Sequence, residues 1–276
     1  RIAVQDVPPF LFGGLRFIIA GLIMLALAHG FGPRVMPQRR EWRDLTVLAF
    51  LGFILSNGSG LWSLQHIPSS QGALLSTTAP CWITLLGTFG TRAHRPRLRA
   101  VCGLALGFLG AGLLLLPTAT RPHGELLPQL VLVLGCLAWA VSTIYLRTTG
   151  TQLPVFSLIG WQMLLGGIGL AVLGMVVGEL PRWHWSWRSM LPLAHLIVFA
   201  SCISHTAYVW LARRVTPASL GTYAYVNPVI AALLGWLVLN EQLVAIQLLG
   251  MAVALLGVLL INWPSRAARR RPLTVS

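Results

Sequence analysis

The two halves of this 276-residue chain are copies of one another, and the copying reverses the placement of charge. A shift of about 148 residues sets Trp62 on Trp210, Ser56 on Ser204, Pro80 on Pro228 and Leu85-Leu86-Gly87 on Leu233-Leu234-Gly235. With one residue of slippage the register continues through Gly103 on Gly250, Gly110 on Gly257 and Pro117 on Pro264. Upstream, a shift of about 146 pairs Arg1 with Arg147, Pro8 with Pro154 and Gly21 with Gly167. Yet Arg92, Arg95, Arg97 and Arg99 fall opposite a loop whose only charge is Glu241, and Arg213-Arg214 falls opposite Gln65-His66. Corresponding loops are expected on opposite faces of a membrane, the signature of an inverted repeat.

A chain that is 56% hydrophobic and 9% charged, with mean hydropathy +0.76, has too little polar surface to cover a soluble globule. Apolar stretches long enough for a hydrocarbon core run from roughly 10 to 30, 44 to 64, 70 to 91, 98 to 117, 127 to 147, 154 to 178, 190 to 211, 217 to 238 and 243 to 263. The expected fold is an all-α integral membrane bundle of two inverted five-helix repeats, ten helices in full and about nine in this chain. The first helix of the second half, 127 to 146, has no counterpart, so the repeat predicts a further apolar span ahead of Arg1. The expected division is a first repeat over 1–117, an external linker over 118–126, a second repeat over 127–264 and a basic cytoplasmic tail over 265–276.

All twenty basic residues are arginine. After the first apolar stretch they fall mainly in alternate loops: Arg34 to Arg43, Arg92 to Arg99, Arg147, Arg213-Arg214 and Arg266 to Arg271. Those loops are expected in the cytoplasm, leaving Arg1, Arg121, Arg182 and Arg188 outside. Because short basic loops divided by membrane spans form no continuous basic face, the net charge of +14 does not point to nucleic acid. Cys81, Cys102, Cys136 and Cys202 lie in apolar stretches without metal-ligand or disulfide spacing, and read as small packing residues.

Polar residues inside the spans are the functional candidates, since at mid-depth they must face protein or a water-filled cavity. Ser56-Asn57-Gly58-Ser59-Gly60 interrupts one span, and its mate reads Ser204-His205-Thr206-Ala207-Tyr208. Matched weak points in corresponding helices point to a central transport site. Close helix packing accounts for the serines equally well, whereas Asn57 and His205 are bulkier and favour the cavity. Arg16 offers a planar donor fork suited to a carboxylate, and its counterpart Gln162 both donates and accepts. The other reading of Arg16 is a snorkelling side chain reaching the outer interface.

Pro80 and Pro228 are expected to kink their helices at matched positions, with Ser76, Thr77 and Thr222 placed to meet the freed carbonyls. Such paired kinks also suit the hinges of a rocking transporter. Tyr225 and Asn227 lie two apart, so at most one faces a pathway. Trp183, Trp185 and Trp187 read as an interfacial anchor. Glu241 reads as a helix N-terminal charge, with binding of a proton or an arginine as the other role.

Several of these residues together resemble the EamA family of the drug/metabolite transporter superfamily. They are Arg1-Ile2-Ala3-Val4 with Pro8-Pro9 and Leu15-Arg16-Phe17, then Trp139-Ala140, and above all Pro217-Ala218-Ser219 leading to Tyr223-Ala224-Tyr225-Val226-Asn227-Pro228 and Glu241. The resemblance spans essentially the whole chain. It implies cytoplasmic termini, a central cavity and export of amino acids or other small metabolites.

The expectation is therefore a secondary transporter of the bacterial inner membrane, working by alternating access on a small-molecule substrate. Its pathway would be lined by Arg16, Asn57, Trp62, Gln162, His205, Trp210 and Tyr225, with Pro80, Pro228, Asn227 and Glu241 in structural or hinge roles. No cofactor and no metal are expected, and no phosphate-binding G-x-x-x-x-G-K-[ST] motif is present. Any proton coupling would run through His205, whose reference pKa near 6.5 suits that task. The alternatives are an intramembrane lipid-modifying enzyme, disfavoured because Asp6, Glu41, Asp44, Glu125, Glu179 and Glu241 all lie outside mid-span, and a non-transporting membrane scaffold.

Overall fold

The computed structural model describes residues 7–31, 36–87, 98–115, 126–183, 187–214 and 245–262. Among these, every regular element is helical. In chain order they are α1 (Pro9–Phe31), α2 (Arg39–Ala49), α3 (Gly58–His66), α4 (Ser69–Leu75), α5 (Thr78–Leu86), α6 (Leu98–Leu115), α7 (Leu126–Thr148), α8 (Val155–Val176), α9 (Trp187–His195), α10 (His205–Arg214) and α11 (Ala245–Asn262). Five stretches are long and apolar enough to cross a membrane: Pro9–Gly30, Arg39–His66, Leu126–Thr148, Val155–Val176 and Met190–Arg214. Val101–Gly110 and Leu248–Leu260 are shorter apolar runs, and the expected span over 217 to 238 lies outside the described residues.

Helices that are apolar all round have no hydrophobic face to choose, so close approach through small residues selects the contacts. The most extensive contact is α1 against α8. A Cβ on Gly21 would stand 2.7 Å from the Leu164 amide nitrogen and 2.9 Å from the Gly160 carbonyl, and one on Gly167 would stand 2.7 Å from the Ile18 nitrogen and 2.9 Å from the Gly14 carbonyl. Rising numbers on one helix meet falling numbers on the other, so the pair is antiparallel. The second most extensive contact, α6 against α11, has the same construction. There a Cβ on Gly110 would meet the Ala254 nitrogen at 2.5 Å, and one on Gly257 would meet the Gly103 carbonyl at 2.5 Å.

At the end of α8 the chain turns back through Gly178, whose φ of +75° suits glycine. Gly178 N–H donates to the Met175 carbonyl at 3.1 Å and Glu179 N–H to the Gly174 carbonyl at 2.9 Å, which closes a Schellman turn. That turn delivers Glu179, only 5% exposed, onto the start of α1. Its carboxylate accepts from Leu11 N–H at 2.8 Å and Phe10 N–H at 3.3 Å. Amides that would be orphaned behind Pro8 and Pro9 thereby gain a charged partner at the positive end of the helix.

The other end of the bundle carries Arg39, Arg43, Arg147 and Arg213-Arg214. Here Glu41 folds back to accept from Gln38 N–H at 2.8 Å and also accepts from the Thr151 hydroxyl at 3.1 Å. Tyr145 donates to Asp44 at 2.7 Å, Arg213 donates to the Leu153 carbonyl at 2.9 Å, and Trp42 meets Trp161 edge-on at 4.9 Å. Residues from α2, α7, α8 and α10 are thus tied together at this end.

The polar interruption expected at Ser56–Gly60 takes a different form. The span does not break there; it widens into a π-helix over Phe50–Asn57 and returns to α-helix at Gly58. Leu196–Ser204 does the same before His205. A π-wound turn displaces the carbonyl ladder, and polar side chains meet the displaced carbonyls. The Asn57 amide donates to the Gly52 carbonyl at 2.6 Å, and the Thr206 hydroxyl donates to the Cys202 carbonyl.

At the expected kink by Pro80 the helix is interrupted for two residues, Ser76 and Thr77, between α4 and α5, with Thr77 still in the α region. Pro80 occupies the third position of α5, where a missing N–H leaves no hydrogen bond unmade. Ser76 hydroxyl donates to the Gly72 carbonyl and Thr78 hydroxyl to the Leu75 carbonyl, each at 2.8 Å. Of the free cysteines, Cys81 and Cys136 are buried, Cys202 is half-buried and Cys102 is exposed.

Candidate functional site

Polar side chains on three helices converge midway along the bundle. On α7, Trp139, Ser142 and Thr143 are spaced to share one face. Gln162 comes from α8, and His205 and Tyr208, three apart, come from α10. Together with Gly52 and Phe53 they line a cavity of about 20 Å3, room for a single water. Gly52 approaches closely because it lacks a side chain: a Cβ there would stand 3.2 Å from Ser142 Oγ.

Three of the polar groups satisfy one another. Trp139 Nε1–H donates to Tyr208 Oη at 3.2 Å, and Tyr208 Oη lies 2.9 Å from Thr143 Oγ1. Thr143 Oγ1 donates to the Trp139 carbonyl at 2.9 Å, so the proton in its contact with Tyr208 comes from the phenol.

Two groups are left over. Gln162, 4% exposed, buries its Nε2 without a partner, and His205 buries its ring Nε2 without one. The imidazole is ringed by aromatic groups, with Phe53 at 5.3 Å, Trp139 at 5.7 Å and Tyr208 at 6.3 Å between centroids. An unsatisfied buried polar group costs about 1–3 kcal/mol, so a polar partner for either nitrogen would be stabilising.

Arg16 lies beside this cluster and is not among its lining residues. Its Nε donates to Ser201 Oγ at 2.9 Å, and its guanidinium sits over the Phe17 ring at 4.7 Å. Phe17 in turn meets Phe53 edge-on at 4.9 Å, which connects Arg16 to the cavity wall.

Trp62 lines a separate, larger cavity of about 540 Å3 at the end opposite the arginines, with Phe10, Gln65, His66, Glu179 and Arg182. The structure therefore brings Gln162 and His205 together and sets Trp62 apart from them. Asn57 lines neither cavity, because its amide is turned onto its own helix. Trp210 is 46% exposed and lies under the Arg214 guanidinium at 4.2 Å, at the arginine-rich end. Tyr225, Asn227, Pro228 and Glu241 lie outside the described residues.

Sequence reasoning passed over Ser142, Thr143, Trp139 and Tyr208 as site residues. The signal was present: a polar stripe at helical spacing on α7 requires protein beside it in a membrane. It also passed over Glu179 as a helix cap, for which no local pattern exists, since the acid and its partners stand 168 and 169 residues apart.

Comparison with known proteins gives this arrangement a context. The EamA-like transporter family matches residues 1–116 and again residues 126–263. The inner membrane transporter YedA of Escherichia coli (strain K12) is 31% identical over 271 residues, covering 95% of this chain and 84% of the relative. A WAT1-related chloroplastic protein of Arabidopsis thaliana is 25% identical over 265 residues, covering 93% of this chain and 63% of the relative. A solved crystal structure with 23% sequence identity superposes at a TM-score of 0.71, over 97% of this chain and 91% of its own, and so shares the fold. A helical chain with several apolar spans, matched twice along its length, belongs to the EamA-like transporter family of the drug/metabolite transporter superfamily and is a membrane transporter rather than an enzyme.

Proposed function

We propose that the protein is a secondary transporter of the bacterial inner membrane that exports small metabolites, amino acids or related compounds, by alternating access between two inverted five-helix repeats. The observation that carries the reading is the pair of unpartnered buried groups, Gln162 Nε2 and His205 Nε2, on two residues that line one small cavity midway along the bundle. Ser63, Gln71, Trp82 and Gln129 also bury unpartnered side-chain atoms, so what singles out Gln162 and His205 is their shared cavity, where a passing solute can supply the missing partners and then withdraw them.

The inverted arrangement is supported by the helix pairs. Gly14 and Gly21 of α1 answer Gly160 and Gly167 of α8 by the repeat shift of 146, and the same four glycines form the antiparallel contact. Gly103 and Gly110 stand in the same relation to Gly250 and Gly257 on α6 and α11. Repeat-equivalent residues facing each other in antiparallel register are what a two-fold axis in the membrane plane produces. The division at about 117 and 127, and the cytoplasmic placement of the arginine-rich end and of the C-terminal tail, complete the reading.

Counterflow tests it directly. Proteoliposomes holding the full chain and preloaded with an unlabelled amino acid mixture are expected to accumulate labelled amino acids above the level of protein-free vesicles. If no labelled amino acid or related metabolite exchanges faster than in those vesicles, the transport reading is lost.

Alternating access makes a second demand. In this reading the Tyr145–Asp44, Thr151–Glu41 and Arg213–Leu153 bonds close the arginine-rich end, while the opposite end holds the 540 Å3 cavity. Removing one such bond costs the closed end about 1 kcal/mol, which shifts the balance between the two states roughly fivefold. Tyr145→Phe is therefore expected to raise, about fivefold, the rate at which a cysteine placed at Leu48 reacts with an impermeant maleimide from the cytoplasmic side, in a cysteine-free background. An unchanged rate would remove the Tyr145–Asp44 bond from the gate.

A further inference from the structure

The cavity at the end away from the arginine-rich cluster has a chemistry of its own. At about 540 Å3 it falls within the range of pockets that hold drug-sized ligands. Glu179 lines it but is already committed: its two oxygens accept from Phe10 and Leu11, and the positive end of α1 offsets its charge. Arg182 is exposed at the end of the 3-10 turn Leu180–Arg182, and none of the described hydrogen bonds or ion pairs involves its guanidinium. Among the described residues the guanidinium is therefore without a partner, whereas both oxygens of the carboxylate are engaged.

The rest of the wall defines the body of that guest. Trp62 and His66 form an aromatic ledge with ring centroids 4.6 Å apart. His66 Nδ1 stands 2.9 Å from the Trp62 carbonyl, which only accepts, so Nδ1 carries the proton and Nε2 is left facing outward from that bond. Pro9, Phe10 and Val177 supply apolar surface around the ledge.

We propose that this vestibule is a second ligand site, separate from the central cluster, which binds small monocarboxylates bearing an aromatic or apolar body. The carboxylate pairs with Arg182 in the forked geometry a guanidinium favours, and the body lies against the Trp62–His66 ledge. Ammonium compounds of the same shape meet Arg182 as a like charge and find no uncommitted carboxylate among the described lining residues. The inference does not depend on which solute the central cluster handles.

Benzoate, benzyl alcohol and benzylamine share a ring and differ in charge, so titration calorimetry of each on the full chain in nanodiscs separates the contributions. Benzoate is expected to bind about threefold more tightly than the other two, the size of effect an exposed ion pair supplies. Arg182→Gln is expected to erase that preference while leaving benzyl alcohol unchanged, Arg182→Lys to retain part of it, and Trp62→Ala to weaken all three. Equal binding of benzoate and benzylamine overturns the proposal, as does a benzoate affinity untouched by Arg182→Gln. Benzoate binding lost in Gln162→Leu but kept in Arg182→Gln places the ligand in the central cluster, which refutes the vestibule site and leaves the transport reading standing. Vestibule binding as expected, in a protein that fails counterflow, strikes the transport reading alone.

Discussion

Replacing Gln162 by leucine is expected to make the protein more stable and to abolish exchange. The Gln162 amide is buried with Nε2 unpaired, beside Leu48, Phe53, Leu146 and Val209 in the same cavity wall. Removing an unsatisfied buried amide relieves about 1–3 kcal/mol, and leucine has a shape those neighbours accept. The expected gain is a few degrees in the midpoint of thermal unfolding in detergent, since about 1 kcal/mol moves a protein of this size by roughly 2–4 °C. Counterflow is expected to fall by about tenfold or more, the loss of one hydrogen bond to the solute in its most constrained position. Core residues behave in the opposite way, losing stability when changed. A variant that is less stable than the native protein yet exchanges solute at the native rate would show that Gln162 serves packing, and the central site would then have to be placed elsewhere.

The second large effect falls on the fold. Gly21→Leu is expected to prevent α1 from docking on α8, because even the first carbon of a side chain would stand 2.7 Å from the Leu164 nitrogen and 2.9 Å from the Gly160 carbonyl. Both obstacles are backbone, so no rotamer relieves them. Overpacking a close contact costs about 1–3 kcal/mol and at times more. In a membrane, separated helices also forgo the dispersion contacts that hold them together without a hydrophobic drive. Gly30→Leu lies on the same helix with nothing within 4 Å of its would-be Cβ, and serves as the matched control. Size-exclusion profiles in detergent are expected to show Gly30→Leu eluting with the native protein and Gly21→Leu aggregated. Identical profiles would mean that the α1–α8 contact is dispensable.

How much of this was legible beforehand depended on the reach of each signal. Twenty-residue apolar runs are carried by the chain itself, and five of them coincide with long apolar helical stretches of the described residues. The glycines at a fixed shift marked the repeat, but that they would meet across α1–α8 and α6–α11 was not readable from their spacing. Gln162 and His205 stood out because polar groups are scarce in apolar helices, and the fold brings them to one cavity. Asn57 stood out for the same reason, but its amide is spent on the Gly52 carbonyl. That use arises from π-winding over Phe50–Asn57, a change of helical register that residue spacing at 3.6 per turn does not encode. Pro80 signalled a bend, and the helix is interrupted just before it; that the interruption takes the form of a two-residue turn at Ser76-Thr77 is set by local hydrogen bonds the proline alone does not specify. Glu179 was unreadable for a plainer reason: an acid in a loop gives no hint of a helix start in the other half of the chain.

The carboxylate of Glu179 also has a mechanical meaning. It rivets the tail of one long helix to the head of another, and the glycine contacts below it leave no room for the two rods to slide or splay. A pair fastened both at its tip and along its length tilts as a single stator. Under the proposed alternating access, the widened turns in the neighbouring spans are then the expected seat of compliance.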